Sequence, residues 1–226
     1  MQCVLCRILR WLITRDDPGW IAAADELPFK ALNTNALFEA DADSGRLRRN
    51  YELWHSNPSE AFSEFLLLAE GGSVWSMIQV GGAYECGKGT PVDRLRAEDW
   101  YWKALERGSD FALLRAGCLA FRRGDAAKAK AILGVGVARG LTPAMRSLAW
   151  IELRLSKYKD ARRRAYALYE RAIELGDGSA RIDLARAMAL GCFGWRAIPA
   201  GIRSLPAAVE QISAQIGAKS DARTRT

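Results

Sequence analysis

Side chains able to do chemistry are few in this chain, and their spacing does not gather them. His55 is the only histidine among 226 residues, whereas a histidine-based metal centre or a Ser-His-Asp relay needs several side chains to converge. Cys3 and Cys6 form a CxxC pair, yet no second pair and no neighbouring histidine complete a zinc set. Cys86, Cys118 and Cys192 fall inside apolar helical patterns, where a free cysteine packs as a small hydrophobe. Five cysteines, an odd count at irregular spacing, fit a reducing compartment. Gly87-Lys88-Gly89 lacks the spacing and the preceding strand of a phosphate loop. Asp41-Ala42-Asp43-Ser44-Gly45 opens like a calcium loop but lacks its third early ligand, its glycine comes one residue early, and Glu52 reaches the last place by count alone. These residues predict no enzyme, no metal and no cofactor, and no small-molecule substrate is evident.

The elements that must position any site are more legible. With 50% of residues apolar and 26% charged, the chain can bury a core. No stretch approaches the roughly 18 consecutive apolar residues of a membrane span. The net charge of +7 favours acidic partners, nucleic acid or anionic lipid without choosing among them. Its densest run, Arg154, Lys157, Lys159, Arg162, Arg163, Arg164 and Arg171, is offset only by Glu152, Asp160 and Glu170 and reads first as a solvated helix face. Near the start, Val4, Leu5, Ile8, Leu9 and Leu12 share one helical face, with Arg7, Arg10 and Arg15 mostly outside it. Arg7 and Arg10 interrupt the apolar run too early for a secretory segment, so the expected location is the cytoplasm. A dozen helical residues reach about 18 Å, too short for a hydrocarbon core of roughly 30 Å. Such a helix suits the inner membrane surface or a cap on the domain.

Four glycines, Gly72, Gly108, Gly140 and Gly176, close four apolar helical patterns at spacings of 36, 32 and 36. Eleven residues before each stands an alanine, at positions 61, 97, 129 and 165. Seven before each stands a bulky apolar residue, Phe65, Tyr101, Leu133 or Tyr169. Four before come Leu68, Ala104, Gly136 and Ala172, and nine after come Gly81, Gly117, Ala149 and Ala185. Glycine ending a helix supplies the left-handed cap that residues with a Cβ resist. Interior glycines cost helix propensity, so Gly81 and Gly117 predict close helix packing, with the bulky column filling the groove opposite. Asp93 and Asp125 read as N-caps of second helices, as does Asn57 followed by Pro58 and Glu60. The shorter spacing of 32 arises in the loop within the hairpin: 12 residues separate Gly81 from Asp93, but only 8 separate Gly117 from Asp125.

The stretch Val80 to Gly108 reads V-G-x-x-Y-x-x-G-x-G-x-x-V-D-x-x-x-A-x-x-W-Y-x-K-A-x-E-x-G and resembles a Sel-one-like repeat, the tetratricopeptide-related helical hairpin of bacterial proteins. Gly81, Tyr84, Gly87, Gly89, Asp93, Ala97, Trp100, Tyr101, Lys103, Ala104 and Gly108 carry the resemblance. It departs at Thr90 and Pro91, where the loop holds an extra residue. The units ending at Gly140 and Gly176 lack the glycine-rich loop and are closer to plain tetratricopeptide hairpins. The resemblance covers roughly residues 57–190. It implies an all-α fold, an α-solenoid of tandem antiparallel hairpins with extra helices at both ends, a concave partner-binding face and no intrinsic catalysis.

In such solenoids the first helix of each pair lines the inner surface. The candidate partner-binding residues are therefore Trp75, Ile78 and Glu85; Leu114, Phe121 and Arg122; Arg146, Trp150 and Arg154; and Ile182 and Arg186. Tryptophan and arginine anchor interfaces more than most residues, so this mixture suits an amphipathic helix or an extended acidic segment. Leu205, Ala208, Val209, Ile212 and Ile216 behind Ser204 and Pro206 predict a last amphipathic helix from about residue 206 to 216, which caps the last repeat or meets a membrane or partner beside Phe193, Trp195 and Ile198. The expected segments are 1–43, amphipathic and capping; 44–190, the repeats; and 191–226, a helix and polar tail. The leading expectation is a non-catalytic adaptor that binds a protein or peptide partner. The alternative is a scaffold held at an anionic membrane surface of an envelope or polysaccharide system by its amphipathic ends. Nucleic acid ranks below both, since net charge alone supports it.

Overall fold

The computed structural model describes residues 34–155, 158–208 and 210. The CxxC pair, the amphipathic start, Val209, Ile212, Ile216 and the polar tail lie outside those residues. Every described element is helical: α1 (Thr34–Glu39), α2 (Ser44–Ser56), α3 (Pro58–Glu70), α4 (Val74–Cys86), α5 (Arg94–Glu106), α6 (Asp110–Arg122), α7 (Ala126–Ala138), α8 (Thr142–Leu155), α9 (Lys159–Glu174) and α10 (Gly178–Ala189), then a 3-10 turn at Trp195–Ala197 and a last helix over residues 198–208. They form two compact units, one ending at Leu141 and the other beginning at Thr142. Within each unit consecutive helices pack as antiparallel hairpins, the all-α solenoid class the repeat predicts.

The capping chemistry builds the hairpins. All four closing glycines have positive φ, between 79° at Gly140 and 108° at Gly72. The residue after each donates its N–H to the carbonyl five residues back, Ser73 to Leu68 and Ser109 to Ala104 at 3.0 Å, Leu141 to Gly136 at 2.9 Å and Asp177 to Ala172 at 3.0 Å. The column four before each glycine is thus the acceptor of a Schellman turn. At the other ends, Asp93 Oδ1 accepts from the N–H groups of Leu95 and Arg96 at 3.1 Å, Asp125 Oδ1 from Lys128 at 2.9 Å, and Asn57 caps α3 while its Nδ2 donates to Glu60 Oε2 at 2.8 Å.

The packing columns meet as the pattern requires. A Cβ on Gly81 would stand 2.7 Å from Tyr101 Cε1, and one on Gly117 would stand 2.7 Å from Leu133 Cγ. In the second unit Ala149 packs with Tyr169, and Ala185 with Leu205. Phe65, Tyr101 and Leu133 are fully buried, as are the four alanines of the alanine column to within 1%.

Leu205 lies 36 residues after Tyr169, and Gly201 and Ala208 follow Ala165 and Ala172 at the same interval. The columns therefore run on past residue 190, and residues 198–208 form a second helix against α10. This helix begins at residue 198, eight residues before the start expected from Ser204 and Pro206. Ser204 is interior, its hydroxyl donating to Ala200 O at 3.0 Å, and Pro206 forgoes a bond to the carbonyl of exposed Ile202, which water can solvate. The alanine column becomes glycine here because a Cβ on Gly201 would lie 2.3 Å from the Ala189 backbone nitrogen.

Adding one carbon at Gly81 forces it against a buried ring, an over-packing that costs about 1–3 kcal/mol and exceeds the propensity gained. Gly81→Ala is expected to lower the denaturant midpoint. Gly134→Ala, in α7 with nothing within 4 Å of the new carbon, is expected to raise the midpoint, through a gain of about 0.5–1 kcal/mol in unfolding free energy. Equal shifts would show that the crossing is loose.

Candidate functional site

In the first unit the first helices are joined by a buried carboxylate. Glu85 follows Gly81 by one turn, on the same face of α4. The missing side chain at Gly81 lets the Tyr101 ring lie across the helix, where its hydroxyl donates to Glu85 Oε2 at 2.8 Å. Arg115 of α6 donates to the same oxygen through Nη2 at 2.5 Å and to Tyr101 Oη through Nε at 3.2 Å. Arg122 brings Nη1 to 2.9 Å from Oε1 as an ion pair, at an angle that makes no hydrogen bond. The Glu85 side chain is 3% exposed. Burial raises the Tyr101 phenol far above its ordinary value. Burial also penalises the Arg115 cation, but Tyr101 and Glu85 outweigh that and hold the guanidinium above its usual range.

The second unit repeats the theme with the signs exchanged. Arg146 of α8 is buried and donates through Nε to Asp183 Oδ2 at 2.6 Å, with Nη1 3.7 Å from Asp177 Oδ2. Asp177 also caps α10, its Oδ1 accepting from Ser179 N–H at 2.9 Å. Burial alone would lower the Arg146 pKa; the two aspartates outweigh it and raise it. Glu152 accepts from Arg164 Nη2 at 2.7 Å. A further buried carboxylate, Glu98 of α5, meets Lys128, Arg123 and the Trp102 Nε1–H.

The eleven sequence candidates separate by environment. Trp75, Ile78 and Leu114 are core: Trp75 lies edge-on to Phe38 at 5.2 Å and packs on Phe65 at 5.7 Å. Glu85 and Arg146 are the centres of the two charge clusters, and Arg122 is joined to Glu85. Phe121 is half-buried. Trp150, Ile182 and Arg186 are half-buried and Arg154 is exposed, its guanidinium 5.5 Å from the Trp150 ring centre. Burial pushes the Cys192 thiol above its ordinary range, outweighing its backbone hydrogen bond and the nearby positive charge of Arg162, Arg154 and Arg186. Arg115, Asp177 and Asp183 were missed. Arg115 had a signal: it is the only charge in the apolar run from Phe111 to Phe121, and a cation there must find a partner.

Glycine-closed helix pairs, packed through small-on-large crossings and tied by buried charges, define a tandem helical-hairpin repeat fold. The chain matches a solved protective antigen of uropathogenic Escherichia coli displaying an SLR fold, at 20% identity and TM-score 0.53, over 90% of this chain and 44% of that one. It also matches a Sel1 repeat protein from Oxalobacter formigenes at 18% identity and TM-score 0.52, over 72% of this chain and 67% of that one. The chain has the Sel1-like repeat fold, as the Val80–Gly108 motif implies, and spans less than half the length of the first of these proteins. No family model and no curated protein matches the sequence. Among the described residues no helix is long and apolar enough to cross a membrane.

Removing one partner of a buried ion cluster leaves the others uncompensated and costs about 3–5 kcal/mol. Glu85→Ala should lose that much in denaturant melts, and adding Arg115→Met should restore part of it; a strictly additive double mutant would show that the groups do not interact. Burial pushes the Glu98 carboxyl up, but Lys128, the Trp102 bond and Arg123 outweigh it and hold it below its ordinary value. A carboxyl lowered by folding adds stability above its unfolded pKa, about 4.3, and that stability is lost as pH falls through the folded value. Glu98→Gln should therefore flatten the loss of stability as pH falls below about 4.3, with no change of slope near neutrality. An unchanged slope would mean the carboxylate contributes nothing.

Proposed function

We propose that the chain is a non-catalytic adaptor that binds a protein or peptide partner on the first-helix face of its second unit. Trp150, Arg154, Ile182 and Arg186 would make the contact. One observation carries this reading: Trp150, Arg154 and Arg186 combine solvent access with the tryptophan and arginine types that anchor interfaces, and Ile182 beside them in sequence is half-buried, whereas the counterparts in the first unit, Phe121 and Arg122 apart, are buried in packing or in the Glu85 cluster. Glu85 and Arg146 then serve as struts that hold neighbouring first helices in register. Repeat folds present such faces to partners, and the fold class alone suggests a protein-interaction scaffold.

The reading is tested by placing a photo-cross-linking amino acid at Trp150 or Ile182 in the full chain in its native cell, with Glu174 on α9 as the comparison position. A discrete adduct from positions 150 and 182, absent at 174, is the expected result. No adduct at either, or the same ladder from all three, would overturn it.

A further inference from the structure

The two most exposed large apolar side chains among the described residues are both aromatic and both in the second unit: Tyr158 at 80% and Trp195 at 75%. Each stands in a turn that joins a first helix to its second helix, Tyr158 between α8 and α9 and Trp195 between α10 and the helix over residues 198–208. Local structure sets the Trp195 ring outward. Phe193 packs on the unit's core and meets Tyr166 edge-on at 5.7 Å, whereas Gly194, at φ 97°, turns the chain so that Trp195, two residues on, leaves that core. Arg196 follows, its guanidinium 5.3 Å from the centre of the Trp195 ring.

The topology brings these two turns to the same end of the unit. The first helices α8 and α10 run the same way, and the Arg146 bond to Asp183, 2.6 Å, sets them side by side. Leu155 ends α8 nine residues beyond Arg146, and Ala189 ends α10 six residues beyond Asp183, so the helices stop roughly 14 Å and 9 Å past that bond in the same direction. Leu155 and Leu190, both exposed, add apolar surface there. Charge divides along the same axis. Residues 158–163 and 190–197, in and beside the two turns, hold Lys159, Arg162, Arg163 and Arg196 against Asp160. Residues 170–178, around the turn at the opposite end, hold Glu170, Glu174 and Asp177 against Arg171.

We propose that this end of the second unit docks on an anionic bilayer surface, with Tyr158 and Trp195 entering the headgroup layer while Lys159, Arg163 and Arg196 meet lipid phosphates. Tryptophan and tyrosine carry a polar group on a large apolar ring, so they collect where an apolar phase meets water. The two rings stand in separate turns that share one end of the unit, an arrangement that meets a plane; an aromatic anchor for a protein partner sits instead in a well-packed central pocket. Opposite charge at the two ends orients the unit, because an anionic surface attracts one end and repels the other, each nearby cation adding to the attraction. Among the described residues no helix is long and apolar enough to cross a membrane, so the contact is peripheral. None of the four partner-contact residues proposed above takes part, so the adaptor reading neither supports this surface nor falls with it.

The test uses flotation of the full chain with vesicles of phosphatidylcholine alone, or of phosphatidylcholine and phosphatidylglycerol in equal parts. The bound fraction should be at least about fivefold higher on the anionic vesicles and should fall as salt rises. Tyr158→Ser with Trp195→Ser should lower it at least about fivefold, and Lys159→Glu with Arg196→Glu at least as much. Leu175→Ser, in the turn at the opposite end, should shift it less than about twofold. These side chains are all exposed, and circular dichroism melts check that each variant folds. With no surface charge altered, a photo-cross-linking amino acid at position 195 should take up lipid from anionic vesicles, and one at 175 should not. No flotation, flotation that survives the loss of both aromatic rings, or equal lipid adducts at 195 and 175 would overturn the proposal. A protein adduct at 195 in the native cell, or single-stranded DNA bound through 195, without flotation would overturn it in favour of that partner.

Discussion

The close crossing of helices at a residue with little or no side chain is the constraint on which the rest of this structure depends. Tyr101 over Gly81 and Leu133 over Gly117 leave no room for another carbon, and Tyr169 with Ala149 and Leu205 with Ala185 repeat the arrangement in the second unit. Interiors are packed to crystal-like density, so one methylene at such a crossing is felt throughout the hairpin. The glycines that sacrifice helix propensity there are recovered as contact area, because each admits a large side chain that is then wholly buried.

The same crossing places the charges. With no side chain at Gly81, the Tyr101 hydroxyl reaches Glu85, and around that carboxylate Arg115 and Arg122 gather from the next first helix. Buried ion clusters are weak evidence for added stability, since desolvation offsets most of the attraction. Their consequence is geometric. Each ties neighbouring helices at one register, and Arg115 and Arg146 are withdrawn from the surface by it. Arg146 is held by Asp177 and Asp183 in the second unit, where it joins α8 to α10.

Much of this was legible in one dimension because the features are local or strictly periodic. Turns closed by Gly72, Gly108, Gly140 and Gly176, caps at Asp93 and Asp125, and the small and bulky columns each depend on conformations or contacts at fixed sequence intervals. The last helix was harder: Ser204 and Pro206 resemble a start signal, and only the 36-residue interval to Leu205 and Gly201 shows that they lie inside a helix. Trp75 and Leu114 occupy the expected helices, but a 3.6-residue period cannot tell which of several neighbouring helices will cover a given face.

The sequence by itself determined the class of fold, the hairpin boundaries and the residues that pack at the crossings, because backbone capping and small-on-large contacts are encoded at regular spacings. Tertiary structure decided which charges pair across helices and which of them are buried. Glu85 meets Arg115 30 residues away, and Arg146 meets Asp183 37 residues away. Coulombic pairing depends on distance in space and on burial, and neither can be read from spacing along the chain.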